Sequence, residues 1–189
     1  PKKKSAFIYD NPAIDYTENG IYSVNSLVHE FGHFSAIVND ALEDKALLTL
    51  SMETSEVQSQ GLEMLVEHSY GKMYGSMAPP MRYMLLTNIV SAVIEGCMFD
   101  QWQREVYALE NPKIEQINKL FAEYVYEYMD LECTEEEAQY IWTAVPHNYS
   151  QPMYYISYSI SAMVALSLYS ESITDYSSAV DKYMNISAD

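Results

Sequence analysis

Apolar residues recur every three or four positions along most of the chain, which is the spacing that places them on one face of an α-helix. The pattern predicts helices over about residues 24–39, 55–70, 82–109 and 114–129, and a last long helix over about 153–170. No alternating strand pattern exceeds about four residues, so the predicted fold class is mainly α. The first predicted helix rests on this apolar series: Val24, Leu27, Val28, Phe31, Phe34 and Val38.

Turn-forming residues mark the segments between these helices. Residues 1–20 include the stretch YDNPAIDYTENG and are predicted to be an irregular lead-in. The stretch CTEEE predicts a helix start, because Thr134 can cap a helix whose first turn is acidic. The stretch VPHNYSQP predicts a loop. Because no repeat or linker divides the chain, residues 1–189 are predicted to form a single helical domain.

The composition is that of a globular but strongly acidic chain. Hydrophobic residues make up 49% of the 189 positions, which is enough to bury a core without disulfides or metals as staples. Lys and Arg number 10 against 27 Asp and Glu, which gives a formal net charge of −17. Because that charge repels phosphate backbones, nucleic acid is not expected as a partner.

Two further features of the sequence bear on where the protein resides in the cell. Residues 152–170 contain no charged residue, but their many Ser and Tyr make the stretch too polar for a membrane span. No membrane is therefore expected as a partner. Cys97 and Cys133 are too few for a disulfide framework, and we interpret them as free thiols in a reducing compartment. The expected localisation is cytoplasmic.

The stretch HEFGH carries the first candidate chemistry. His29 and His33 are four residues apart, so on a helix they share one face and can reach the same metal ion. Glu30 follows His29 directly, and Gly32 would let another element approach closely. Zinc proteases use two such His ligands with a Glu as general base. The alternative is an ordinary helix that carries two partly buried histidines.

A catalytic zinc ion needs a third protein ligand, and the next predicted helix offers candidates. Glu56, Gln60, Glu63 and Glu67 are spaced by four, three and four residues and form one polar stripe. Such a stripe is typical of a solvated face. However, Glu56 lies in the first turn, 27 residues after His29, which leaves room for one helix to end and a second to cross it. Glu56 is thus the candidate third ligand, and Glu63 the candidate hydrogen-bond acceptor for a ligand histidine.

Taken together, HEFGH and SEVQSQGLE resemble the thimet oligopeptidase and oligoendopeptidase F family of zinc metallopeptidases. Thr54 and Ser55 depart from the family pattern just before the Glu ligand. The resemblance implies a multihelical, zincin-like catalytic domain in which the HExxH helix is crossed by the helix of the Glu ligand. It also implies one Zn²⁺ per chain, with zinc ligands His29, His33 and Glu56 and the general base Glu30.

A third stretch, PHNYSQPMYYISYS, resembles the late helix with which this family closes over its substrate. The resemblance implies that His147, Tyr155 and Tyr158 are catalytic and stabilise the oxyanion. Tyr154 and Tyr149 would bind substrate. Taken without the resemblance, an aromatic helix of this kind is typical of a packed core.

The function that the resemblance implies is that of a zinc metalloendopeptidase. It would hydrolyse internal bonds of short peptides with a zinc-bound water, and Glu30 would act as general base. Family members are several times longer, so we expect the chain to be the catalytic part of a longer peptidase. Its partners would be short peptides and the rest of the parent chain. Two alternatives are a helical module that binds zinc or peptide without cleaving, and a related helical zinc carboxypeptidase.

Overall fold

A computed structural model describes residues 7–8, 19–42, 56–130 and 132–187 of the chain. Across these ranges every regular element is a helix, which confirms the predicted mainly α fold. Short 3₁₀ turns occur at Glu67–Ser69, Gly75–Met77 and Ile141–Ala144. The α-helices are α1 (Asn19–Leu42), α2 (Val57–Val66), α3 (Tyr70–Tyr74), α4 (Ala78–Ala108), α5 (Ile114–Tyr128), α6 (Glu135–Ala138), α7 (His147–Ser150), α8 (Ile156–Ser172) and α9 (Tyr176–Ile186).

The first two predicted helices differ from the observed ones at their ends. α1 begins at Asn19, so the last two residues of the predicted lead-in are already helical. The rest of that lead-in lies outside the described residues, apart from 7–8, which have no regular structure. The helix predicted over about 55–70 stops at Val66 and gives way to a 3₁₀ turn. In that turn Glu67 is buried and pairs with Arg82, a contact that the local sequence pattern does not contain.

The later predicted elements also differ from the observed ones in where they begin and end. Thr134 caps α6 as predicted, because its hydroxyl accepts a hydrogen bond from the Glu137 N–H, but the helix runs only to Ala138. The predicted loop VPHNYSQP contains the short helix α7. α8 begins at Ile156 instead of near residue 153. Met153 has a φ of 65°, which lies outside the right-handed helical region.

Two compact units can be distinguished in the chain. The first comprises Pro1–Ile89 and Ser161–Asp189, and the second Val90–Ile160. In the first unit α1 packs against α2, and α2 packs against α9. A buried apolar cluster joins α2 to α8 and α9, and its members are Leu65, Leu168, Ala179 and Tyr183.

The second unit has a core of its own, rich in aromatic side chains. Phe99 and Trp102 from α4 pack on Phe121 from α5, with ring centroids 5.4 and 5.0 Å from that of Phe121. The core is completed by Met98, Ala122, Tyr124, Val125 and Ala138. Cys97 and Cys133 belong to this unit, and both are free thiols, as predicted.

One helical run within the described ranges, Val57–Ala108, is long and apolar enough to cross a membrane by length and composition. Its most apolar window has a mean hydropathy of 1.2, and 28% of that window is buried. A single run of this kind is weak support for a membrane span, because core helices of soluble proteins pass the same test. The expectation that no membrane partner exists stays a prediction.

Candidate metal centre

Helix α1 presents His29 and His33 on one face. Their positions four residues apart place the rings one turn from each other, with centroids 5.1 Å apart in an edge-to-face arrangement. Both side chains are partly buried, with 29% and 27% of their surface exposed. Glu30, between them in sequence, is also partly buried. The face is thus sheltered but open to a small ligand.

α2 crosses α1 at Gly32, and the crossing is unusually close. A Cβ atom at position 32 would lie 2.6 Å from the Ser59 Cα and 2.8 Å from the Gln58 carbonyl carbon. Its nearest neighbour would be the Gln58 carbonyl oxygen. All three neighbours are backbone atoms of α2, which cannot rotate away as a side chain can. Only glycine allows the two helices to approach to this distance at this point.

The close crossing brings Glu56 between the two histidines. Glu56 stands just before α2 and is 6% exposed. Its Oε2 lies 3.4 Å from His29 Nε2 and 3.3 Å from His33 Nε2, and one ligand atom from each residue lies within 4.8 Å of the others. A tetrahedral zinc ion with bonds of ~2.0–2.1 Å separates neighbouring ligand atoms by ~3.3–3.4 Å. The donor types and both distances to Glu56 therefore fit zinc.

Two further side chains orient these groups. His29 Nδ1 is 2.6 Å from Glu63 Oε1, and when Nδ1 carries the proton in that contact, Nε2 is left as the metal-binding atom. The Ser59 hydroxyl is fully buried and lies 3.0 Å from both the Glu56 Oε2 and the Glu56 carbonyl oxygen. Ser59 thereby fixes the Glu56 carboxylate against its own helix turn.

Without a metal ion, the same carboxylates hold a proton on His29. Burial lowers the pKa of His29, but hydrogen bonds and charge interactions with Glu56 and Glu63 outweigh it and raise the pKa to about 10. A metal ion bound at Nε2 must displace that proton, so metal and proton compete for the same position. The cluster consequently suits either an imidazolium between two carboxylates or a divalent cation with neutral histidines.

His147 and three of the four predicted tyrosines form a second group, in the second unit. The His147 ring stacks on Tyr154 at 5.3 Å and meets Tyr155 and Tyr158 edge-on at 6.0 and 5.9 Å. Tyr155 also packs on Phe99 of the aromatic core at 4.4 Å. Burial and the charge of Glu95 raise the pKa of Tyr155, so its hydroxyl keeps its proton. The structure thus groups His147 with three of the four predicted tyrosines.

Tyr149, the fourth predicted tyrosine, packs elsewhere. Its ring lies 5.9 Å from that of Trp142, and its hydroxyl donates a hydrogen bond to the Thr143 carbonyl at 3.3 Å. Thr54 and Ser55, where the sequence departs from the family pattern, lie outside the described residues.

Two residues near the centre, Ser59 and Tyr183, were not among the predicted site residues. Ser59 had a local signal, because a residue three positions after Glu56 lies over the same helix turn. Tyr183 had none: it lies on α9, and its hydroxyl reaches the Gln58 carbonyl 125 residues away in the sequence.

Comparison of the chain with family models, with curated proteins and with solved structures found no match.

Proposed function

We propose that this chain is the catalytic part of a zinc metalloendopeptidase that cleaves internal bonds of short peptides. One observation carries the metal-binding part of the proposal: Glu56 Oε2 lies 3.3–3.4 Å from the Nε2 atoms of both His29 and His33. The peptidase part rests on the motifs HEFGH and SEVQSQGLE, which put a glutamate directly beside the first ligand. Two histidines and a carboxylate are one of the ligand sets of catalytic zinc sites, and an adjacent glutamate can act as the general base.

Each side chain of the proposed centre has its own role. Bound zinc would supply Lewis acidity, which polarises the peptide carbonyl and lowers the pKa of water to about 7. Glu30 accepts the proton of the attacking water and returns it to the leaving nitrogen. Glu63 holds the proton on His29 Nδ1, and Ser59 holds the Glu56 carboxylate in place.

The roles of the second group stay predictions from the resemblance. His147, Tyr155 and Tyr158 would donate hydrogen bonds to the developing oxyanion, and Tyr154 and Tyr149 would contact the substrate. A phenol suits the first task because its ordinary pKa of about 10 leaves it protonated at neutral pH. Removal of one such donor typically lowers the rate about 10²–10³-fold.

Metal analysis of the purified chain is the first test. We expect about one zinc ion per chain, and loss of that ion in the double variant H29N/H33N. Absence of bound metal after dialysis against zinc would refute the metal centre and leave His29 as an imidazolium between two carboxylates.

Peptide cleavage is the second test. A quenched fluorescent peptide should be cut by the wild-type chain and not by Glu30→Gln, although both bind zinc equally. Equal cleavage by the two would remove Glu30 from the mechanism. Zinc without any cleavage, either by this chain or by the full-length parent, would favour the binding module. Release of single C-terminal residues would favour the carboxypeptidase.

A further inference from the structure

Tyr183 of α9 reaches the beginning of α2. Its side chain is buried, with 4% exposed, and its hydroxyl donates a 2.8 Å hydrogen bond to the Gln58 carbonyl oxygen. Its ring lies against Gly61, where an added Cβ would come within 3.1 Å of it. Burial raises the pKa of Tyr183, so the phenol keeps the proton that it donates. The hydrogen bond therefore links α9 to α2.

The carbonyl that accepts this hydrogen bond also faces α1 at Gly32. The Gln58 oxygen is the nearest neighbour of a Cβ built at Gly32. This backbone carbonyl of α2 thus faces Gly32 of α1 on one side and the phenol of Tyr183 of α9 on the other. It lies two residues after Glu56.

The beginning of α2 depends on such tertiary contacts. Glu56 occupies the N-cap position, yet its side chain makes no capping hydrogen bond. Its carboxylate instead faces the Ser59 hydroxyl and the two imidazoles. α2 has only 10 residues, and a helix of that length has little stability of its own.

We propose that Tyr183 is a positioning residue for the metal centre: its hydrogen bond to the Gln58 carbonyl keeps the first turn of α2, and with it Glu56, against the two histidines of α1. The inference rests on the proposed function for the identity of the ligands. It adds a residue from the C-terminal helix, far from both motifs, to the set that determines metal affinity.

A purely structural role for Tyr183 is the competing explanation, because its ring belongs to the cluster with Leu65, Leu168 and Ala179. Tyr183→Phe separates the two roles, since it keeps the ring and removes only the hydroxyl. α9 also provides a matched control. Tyr176 donates a 3.4 Å hydrogen bond to the Leu65 carbonyl, near the opposite end of α2. Tyr176→Phe also removes a phenol-to-carbonyl bond between α9 and α2, one that is longer, comes from a side chain that is 44% exposed and is remote from Glu56.

The measurement is the affinity for Zn²⁺ and Co²⁺, by competition with a chromophoric chelator, together with the visible absorption spectrum of the Co²⁺ form. We expect Tyr183→Phe to bind each metal about 10-fold more weakly and to shift the Co²⁺ bands, as loss of an orienting contact does. Tyr176→Phe should match the wild type in both respects. Affinity and spectrum of Tyr183→Phe equal to those of the control would overturn the inference.

A second variant keeps the test decisive if Tyr183→Phe does not fold. Gly61→Ala favours the helix but presses a methyl group against the Tyr183 ring, and we expect weaker metal binding and shifted Co²⁺ bands. Unchanged metal binding by this variant would overturn the inference as well. Failure of the wild-type chain to bind metal would instead refute the proposed function, so the two failures are distinguishable.

Discussion

A single methyl group at Gly32 is expected to disturb the proposed metal centre, and Gly32→Ala tests this directly. The new Cβ would lie 2.6 Å from the Ser59 Cα and 2.8 Å from the Gln58 carbonyl carbon. Non-bonded carbon atoms are normally about 3.5–4.0 Å apart. Because both contacts are with backbone, α2 as a whole must retreat from α1 by about 1 Å.

A displacement of that size should weaken metal binding strongly but reduce the unfolding free energy only moderately. Metal–ligand distances tolerate about 0.2 Å, so a retreat of about 1 Å takes Glu56 out of reach of an ion held by His29 and His33. We expect the zinc affinity to fall by at least about 100-fold, the upper end of the effect of losing an orienting contact. Overpacking costs about 1–3 kcal/mol, while alanine in a helix returns about 1 kcal/mol relative to glycine. The net loss of unfolding free energy in the presence of EDTA should therefore not exceed about 2 kcal/mol.

Gly71→Ala is the matched control. Gly71 lies in α3 of the same unit, and a Cβ built there meets no atom within 4 Å. This variant should bind zinc like the wild type and be equally or slightly more stable. Zinc titration against a chromophoric chelator and urea unfolding in EDTA measure the two quantities. Equal zinc affinities of Gly32→Ala and Gly71→Ala would show that the close crossing at Gly32 does not determine metal binding.

Two other predictions concern the groups around the ligands. Ser59→Ala removes the buried hydroxyl beside the Glu56 carboxylate, and we expect about 10-fold weaker zinc binding. The same titration measures this affinity. A wild-type affinity would exclude an orienting role for Ser59. The metal-free protein should lose stability as the pH rises. The pKa of His29 is about 10 in the folded chain and about 6.5 when unfolded, so its contribution is complete below pH 6.5 and vanishes as the pH approaches 10. Urea midpoints in EDTA at pH 7 and pH 10 measure this loss of stability. The loss should be smaller in His29→Asn. An equal loss in both proteins would exclude His29 as its source.

The sequence was sufficient for the features that depend on local spacing. His29 and His33 share a face because they are four residues apart on a helix, and that helix follows from its apolar periodicity. The stripe of Glu56 and Glu63 likewise places both carboxylates on one side of the next helix, where they meet His29. The Thr134 cap is also a local signal, since the hydroxyl and the Glu137 N–H that it accepts are three residues apart.

Features that depend on distant contacts could not be predicted in this way. No glycine or proline marks the end of α2 after Val66. The helix ends where the buried Glu67 pairs with the exposed Arg82, which belongs to a different helical element. The role of Tyr183 depends on α9 packing against α2, and no periodicity within either helix indicates that pairing. Tertiary contacts therefore determine where these helices end and, in our proposal, how firmly the ligands are held.

In the proposed metal centre, a metal ion would balance the charges around His29 more fully than a proton does. Glu63 Oε1 lies 2.6 Å from Nδ1 and Glu56 Oε2 lies 3.4 Å from Nε2, so one imidazolium faces two carboxylates and offsets the charge of only one. Glu56 is 6% exposed, and an uncompensated charge at such a position is costly. A divalent cation with neutral histidines brings the cluster to zero net charge.

Glu63→Gln tests this electrostatic argument, because it removes one of the two negative charges while it preserves the shape of the side chain. Zinc affinity should fall about 10-fold, since His29 loses its charged partner. Near pH 10, where His29 loses its proton, the metal-free variant should instead be more stable than the metal-free wild type, because the repulsion between Glu56 and residue 63 is gone. The two effects thus have opposite signs, and urea unfolding in EDTA beside the zinc titration measures both. If Glu63→Gln lowers both quantities, Glu63 acts through packing or hydrogen bonding alone, and the charge argument for a metal ion fails.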